Sequence, residues 1–167
     1  STLFPYTTLF RSPYSYGTMP EPAYLRSIPK KHPQFAMMDQ KNIMIGGSRN
    51  RVEFCDLYSK NKDIVHVKKY GGSSVLSHLF SQAVVSGESF LHEPDFRKEL
   101  NTKLPTGFKL TDPAKAPSAA AHTICLAIMS RVPGPLELPF FSKVSLKHAV
   151  TSLQRMNYKV TKLKIER

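Results

Sequence analysis

Apolar and polar positions along the chain change period in the stretch 51–91. Segments 52–58 (VEFCDLY) and 64–69 (IVHVKK) are rich in β-formers, and the polar loop 59–63 between them has hairpin length. After Gly71-Gly72, residues Val75, Leu76, Leu79, Phe80, Ala83 and Val84 form one helical stripe, with Ser73 or Ser74 expected as the cap. Upstream, FAMMD and KNIMIGG are short apolar runs closed by Gly46-Gly47-Ser48, which predicts a hairpin or a strand ending in a turn. Downstream, Glu93-Pro94-Asp95 signals a second helix, the three prolines in 104–118 a loop, and HTICLAIMS a strand buried on both faces. A loop over 131–139, a helix over 142–156 with Val144, Leu146, Ala149, Val150 and Leu153 inside, and an edge or bulged strand over 158–165 close the chain. The pattern predicts an α/β (α+β) class: a small mixed β-sheet flanked by helices, forming one domain over 35–167.

The first 34 residues read differently. STLFPYTTLFRS has no initiating Met and resembles a translated sequencing adapter at the end of a metagenomic reading frame, so it is set aside from fold reasoning. The chain is then expected to be the C-terminal part of a longer protein. Prolines 13, 20, 22, 29 and 33 interrupt backbone hydrogen bonding and predict an irregular lead-in, with a short helical turn around 23–27.

Charge adds a partner class. A net charge of +12 favours a polyanion, because clustered Lys and Arg displace counterions from phosphates, and DNA or RNA is the first expectation. Cys55 and Cys125 both sit in apolar runs, which suits a reducing, cytoplasmic setting better than a disulfide framework. No apolar run approaches the ~18 residues needed to span a bilayer, so no membrane partner is expected.

Candidate chemistry lies in the hairpin. Residues two apart on a strand share a face, so His66 and Lys68 point together. A hairpin centred on Asn61 sets Asp56 opposite His66, with Cβ atoms roughly 4.5 to 5.5 Å apart, and sets Lys68 opposite Phe54. Glu53 points to the other face and joins only through a bulge or from the strand end. This segment resembles the core of the PD-(D/E)xK nuclease superfamily over about residues 43–129, with His-Val-Lys in place of its Glu-Val-Lys. The resemblance implies a restriction-endonuclease-like core in which Asp56 holds Mg²⁺ or Mn²⁺, Lys68 stabilises charge, His66 replaces the second acid, and Glu53 and Gln82 assist. Imidazole is a poor Mg²⁺ ligand but suits Mn²⁺ or general-base work, so the altered position bears on catalysis.

A second resemblance rests on VEFCDLYSKNKDIVHVKKYGGSSVLSHLFSQAVVSGE and LPFFSKVSLKHAVTSLQRMNYKVTKLKI. Both look like the C-terminal region of a sporadically distributed, uncharacterised bacterial family often found near restriction-modification or phage-defence genes. Positive charge also gathers late in the chain. Lys143, Lys147, Arg155, Lys159, Lys162 and Lys164, with Lys69, are expected to contact a nucleic-acid backbone. Phe140, Phe141 and Tyr158 lie nearby, and core packing is their more ordinary use. The Gly71-Gly72-Ser73-Ser74 turn suits phosphate contact or plain chain reversal, and His78 with Gln82 lacks the companions of a zinc site. The expected function is a metal-dependent nuclease domain; a catalytically inactive nucleic-acid-binding module and a structural segment of a larger protein are the alternatives.

Overall fold

The computed structural model describes residues 15–46 and 50–167. The adapter-like segment and the Gly47-Ser48 part of the expected turn lie outside these residues. The chain runs through helix α1 (Glu21–Lys31), strands β1 (Phe35–Met37), β2 (Asn42–Ile45), β3 (Asn50–Glu53), β4 (Leu57–Ser59) and β5 (Asp63–Lys69), then helices α2 (Ser73–His92) and α3 (Pro94–Lys103). Strand β6 (Thr123–Ser130), helix α4 (Phe140–Arg155) and strand β7 (Lys159–Glu166) complete it. The main sheet has the order β1-β4-β5-β6-β7, and β2 pairs with β3 in a separate two-stranded sheet. Pairing is antiparallel for β1-β4 and β4-β5 and parallel for β5-β6 and β6-β7. The predicted mixed α/β architecture is therefore present.

Apolar alternation explains the layers. Ile64 on β5 and Ile124, Leu126 and Ile128 on β6 pack with Leu76, Leu79, Phe80 and Ala83 of α2 and Leu146, Val150 and Leu153 of α4. The intervening residues Val65, Val67, Cys125, Ala127 and Met129 face Tyr24, Leu25 and Ile28 of α1. Every residue of β6 except Thr123 is buried, as its unbroken apolar run requires of a strand covered on both faces. Among the described residues, no helix is long and apolar enough to cross a membrane.

Four expectations change, and one pair of alternatives is decided. The lead-in is not irregular: α1 spans eleven residues, with Pro22 in its first turn, where a missing N–H costs nothing, and Pro29 near its end. Segment 52–58 is not one strand, since β3 ends at Glu53, the chain turns through Phe54, Cys55 and Asp56, and only then does β4 begin. Phe54 and Cys55 are consecutive yet both buried, which a regular strand cannot achieve on a single face. The α2 N-cap is Gly72 at φ 100°, a left-handed conformation natural to glycine, and no serine side chain caps it. Of the two forms expected for the closing strand, β7 takes the edge form, its register unbroken from Lys159 opposite Thr123 to Glu166 opposite Ser130. Val144 is partly exposed rather than inside α4's buried face, which instead includes Ser142.

The expected loop after α3 is held by one side chain. Arg97 is 2% exposed, and its guanidinium donates to the carbonyls of Phe90, Leu91, Pro113 and Ala114. Those bonds satisfy a buried charge and tie the loop to the end of α2.

Candidate functional site

Strand β5 outruns its neighbour. The β4 ladder stops at Leu57 opposite Val65, so the N–H groups of Val67 and Lys69 on that side have no strand partner. Carboxylates take them instead: Val67 N–H donates to Asp56 Oδ2 at 2.5 Å, and Lys69 N–H donates to Glu21 Oε2 at 2.8 Å. The Asp56 backbone is fixed as well, its N–H donating to Val65 O and its carbonyl accepting from Met38 and Asp39. A strand end left open thus becomes a rigid cradle for acidic side chains.

Three acids converge there. One ligand oxygen each from Asp39, Glu53 and Asp56 lies within 4.8 Å of the others. Glu53 arrives from the end of β3, through the break after it, and Asp39 from the turn that follows β1. The Lys68 ammonium lies 3.2 Å from Glu21 Oε1 on the first turn of α1. Its charge also acts on Asp39 and Glu53, where it offsets part of the rise that burial imposes on both pKa values.

The electrostatics are those of crowded, half-dry carboxylates. Burial raises the pKa of Asp39, with Glu21 adding to the rise, and burial followed by the charge of Asp39 raises that of Glu53. Asp56 is pushed up to about 7, chiefly by burial, with Asp39, Glu21 and Glu53 adding to the rise against the Val67 N–H. Near neutral pH this cluster is held partly protonated, which costs stability whenever all three acids ionise. An all-oxygen, acidic donor set suits a hard divalent ion such as Mg²⁺ or Mn²⁺. Oxygens on opposite sides of an octahedral Mg²⁺ lie about 4.2 Å apart, a little inside the 4.8 Å that bounds these acids, so closing on one ion requires a small inward movement of the side chains.

The expected site residues divide. Asp56, Glu53 and Lys68 belong to the cluster, and continuing the β4-β5 register places Asp56 opposite His66, as the hairpin centred on Asn61 required. His66 does not turn its ring to the acids. It is 4% exposed, its Nε2 lies 3.3 Å from Ser86 Oγ of α2, and burial alone lowers its pKa to about 4, so it is a neutral core residue at physiological pH. Gln82 and His78 are exposed on α2, and no hydrogen bond joins Gln82 to the acids among the described residues. Lys68 does not face Phe54, which is packed against Tyr58, Phe90 and Phe96.

Asp39 and Glu21 are the residues that sequence reasoning missed. Asp39 closes the run FAMMD, and Glu21 sits in the Pro20-Glu21-Pro22 helix start, a signal obscured by the setting aside of the proline-rich segment. Beside the cluster, Gln40, Lys41, Asn42, Met44, Arg51 and Lys103 line an open cleft of about 600 Å³, and Asn42 is the register partner of Glu53.

The basic residues also divide. Lys69, Lys143 and Lys147 are exposed. Arg155 and Lys159 are exposed too, but at the far end, where β7 begins opposite the start of β6. Lys162 is partly buried, and its pKa is lowered by burial and then by the charge of Lys143. Lys164 is committed to the carbonyls of Val132 and Gly134 and to Glu166, so it braces a loop.

The chain belongs to a family of unknown function, DUF6119, whose model matches residues 2–166, a span that includes α1 and most of the adapter-like segment. No curated protein and no solved structure matches it.

Proposed function

We propose that this chain is a metal-dependent, PD-(D/E)xK-like phosphodiesterase acting on nucleic acid. The carrying observation is the convergence of Asp39, Glu53 and Asp56 within 4.8 Å at the end of the strand that bears Lys68. Counting only the strands of the main sheet, the order α1, β1, β4, β5, α2 and then, after α3, the parallel strand β6 supports the same reading, because it carries an acid and a lysine to the end of β5. Asp39 and Glu53 supply the oxygen ligands that His66 does not, so the altered position need not abolish the chemistry.

Each residue has a task. Asp56 is the best-fixed ligand, anchored through both its backbone and its Val67 hydrogen bond, and Asp39 and Glu53 complete the acidic set. A divalent ion held by these acids supplies Lewis-acid polarisation of the phosphodiester and acidifies water. Lys68 presents positive charge to the phosphate oxygens as negative charge builds on them. Glu21 is a positioning residue, holding the ammonium of Lys68 beside the acids. Lys41, Arg51 and Lys103 give the adjoining cleft an affinity for the substrate backbone.

End-labelled single- and double-stranded DNA and RNA, incubated with the protein and Mg²⁺ or Mn²⁺, test the reading. Cleavage is expected, and Asp56→Asn or Lys68→Ala is expected to slow it by about 100-fold or more. Cleavage that survives both substitutions contradicts the site. Salt-sensitive binding without cleavage by the unaltered protein favours an inactive binding module, the reading suggested by His66 facing the core.

A further inference from the structure

The start of α4 carries a feature unused by that chemistry. Phe140 and Phe141 are 72% and 71% exposed on the first turn of α4, although burial of each ring would be favourable. Their centroids lie 5.5 Å apart at 75°, an edge-to-face pair that holds one ring against the other. Val132, in the loop leading to α4, and Val144, one turn on from Phe140, are exposed as well. Phe140, Lys143, Val144 and Lys147 follow the spacing of one helix stripe, which interleaves ring, cation, methyl groups and cation.

Topology puts this patch on the acidic cluster's edge of the sheet. Strands β5 and β6 are parallel, so α2 and the loop leading to α4 leave from the same carboxyl edge. Ser77 of α2 and Ser145 of α4 are hydrogen-bonded at 3.0 Å, which sets the early turns of the two helices side by side. On the same edge, Lys69, Tyr70, Ser130, Arg131 and Tyr16 line a cleft of about 270 Å³. Lys69 is the residue whose N–H is held by Glu21, so this cleft adjoins the Lys68 site directly. Tyr16 is itself buried, and its hydroxyl has no hydrogen-bond partner.

We propose that this carboxyl edge binds one strand of nucleic acid, its unpaired bases stacking on Phe140 and Phe141 and its phosphates passing Lys143, Lys147 and the Lys69–Arg131 cleft. Open rings favour a single strand because the base faces of a duplex are already stacked. The alternating cations favour nucleic acid over an apolar protein helix, since a polyanion complements them and a net charge of +12 reinforces the attraction. The orientation of the strand towards the acids rests on the phosphodiesterase reading, whereas binding itself does not.

Fluorescence anisotropy in EDTA separates the two. The probes are labelled mixed-sequence 20-mers of single-stranded DNA and RNA and the matching duplexes, titrated with the unaltered protein, Asp56→Asn, Phe140→Ala/Phe141→Ala and Lys143→Ala/Lys147→Ala. Both rings are exposed, so the double ring variant should fold, and its thermal unfolding is measured beside the binding. The unaltered protein and Asp56→Asn are expected to hold single strands at least tenfold more tightly than duplex. Loss of the rings is expected to weaken single-strand binding by about tenfold per ring with duplex binding unchanged, and loss of the two lysines to weaken both and flatten the salt dependence. A tighter DNA or RNA arm identifies the sugar. Equal affinity for duplex, or single-strand affinity untouched in the ring variant, overturns the proposal and leaves the rings to a protein partner. Single-strand binding by a protein that never cleaves overturns only the phosphodiesterase reading.

Discussion

The two halves of the main sheet are built for different ends. The parallel half, β5-β6-β7, is long, continuous in register and covered by α1 on one face and by α2 and α4 on the other. The antiparallel half, β1 with β4, has three-residue strands, and the neighbouring β2-β3 pair belongs to another sheet. Several buried polar groups in the parallel half are matched internally, as when Tyr158 donates to Gly87 O at 2.7 Å and His66 meets Ser86. Where the halves meet, three carboxylates are forced together against burial and mutual repulsion. Such a destabilised cluster, set on a rigid sheet, is the usual mark of a functional site.

The largest expected break comes from the parallel half. Leu126→Ala removes a fully buried side chain from the central strand and is expected to cost about 2 to 5 kcal/mol in denaturant unfolding. Asp56→Asn should have the opposite sign. Because the folded pKa of Asp56 is raised to about 7 from a usual 3.8, its carboxyl contributes stability that is full below pH ~4 and lost as pH rises to 7. The amide cannot ionise and still accepts from Val67, so metal-free Asp56→Asn is expected to unfold at higher temperature than the parent at pH 8.

His66 sharpens the contrast. Its folded pKa is lowered from 6.5 to about 4, so the stability it contributes is present above pH 6.5 and lost as pH falls through 4. Between pH 4 and 6.5 the two groups therefore act in opposite directions. Thermal melts of the parent should change little across that window, while those of Asp56→Asn should decline on acidification. A parent and variant with the same pH profile would show that Asp56 ionises normally. The smallest effect belongs to Ser86→Ala, which leaves the His66 Nε2 without its partner and is expected to cost about 1 kcal/mol with no change in metal response.

Long periods were easier to read than short ones. The helical stripe from Leu76 to Ala83 and the apolar run of β6 repeat one environment many times, so pattern alone located α2, β6 and α4. The hairpin was legible through its turn, where Ser59 Oγ accepts from the N–H groups of Asn61 and Asp63 and Lys62 takes φ 66°. That register placed Asp56 correctly. The assembly of Asp39 and Glu21 was not legible, since it depends on where β4 stops relative to β5 and on which face α1 covers. Both are tertiary facts that no local period encodes. Proline frequency suggested an irregular lead-in with only a short helical turn before β1, yet Pro22 in the first turn of α1 is compatible with a full helix. The ring exposure of Phe140 and Phe141 was likewise hidden, because an aromatic pair at a helix start is as consistent with packing as with display.

Calorimetric titration of Mn²⁺ into the metal-free protein at pH 6, in two buffers of different ionisation enthalpy, tests the central claim most directly. An ion that draws on Asp56 must displace the proton that this carboxyl, with its pKa raised to about 7, holds at pH 6. The expected result is saturable binding whose heat depends on the buffer, weakened at least tenfold in Asp56→Asn and retained in Ser86→Ala. Absence of binding, or binding that Asp56→Asn leaves intact, would contradict a metal site at the end of β5.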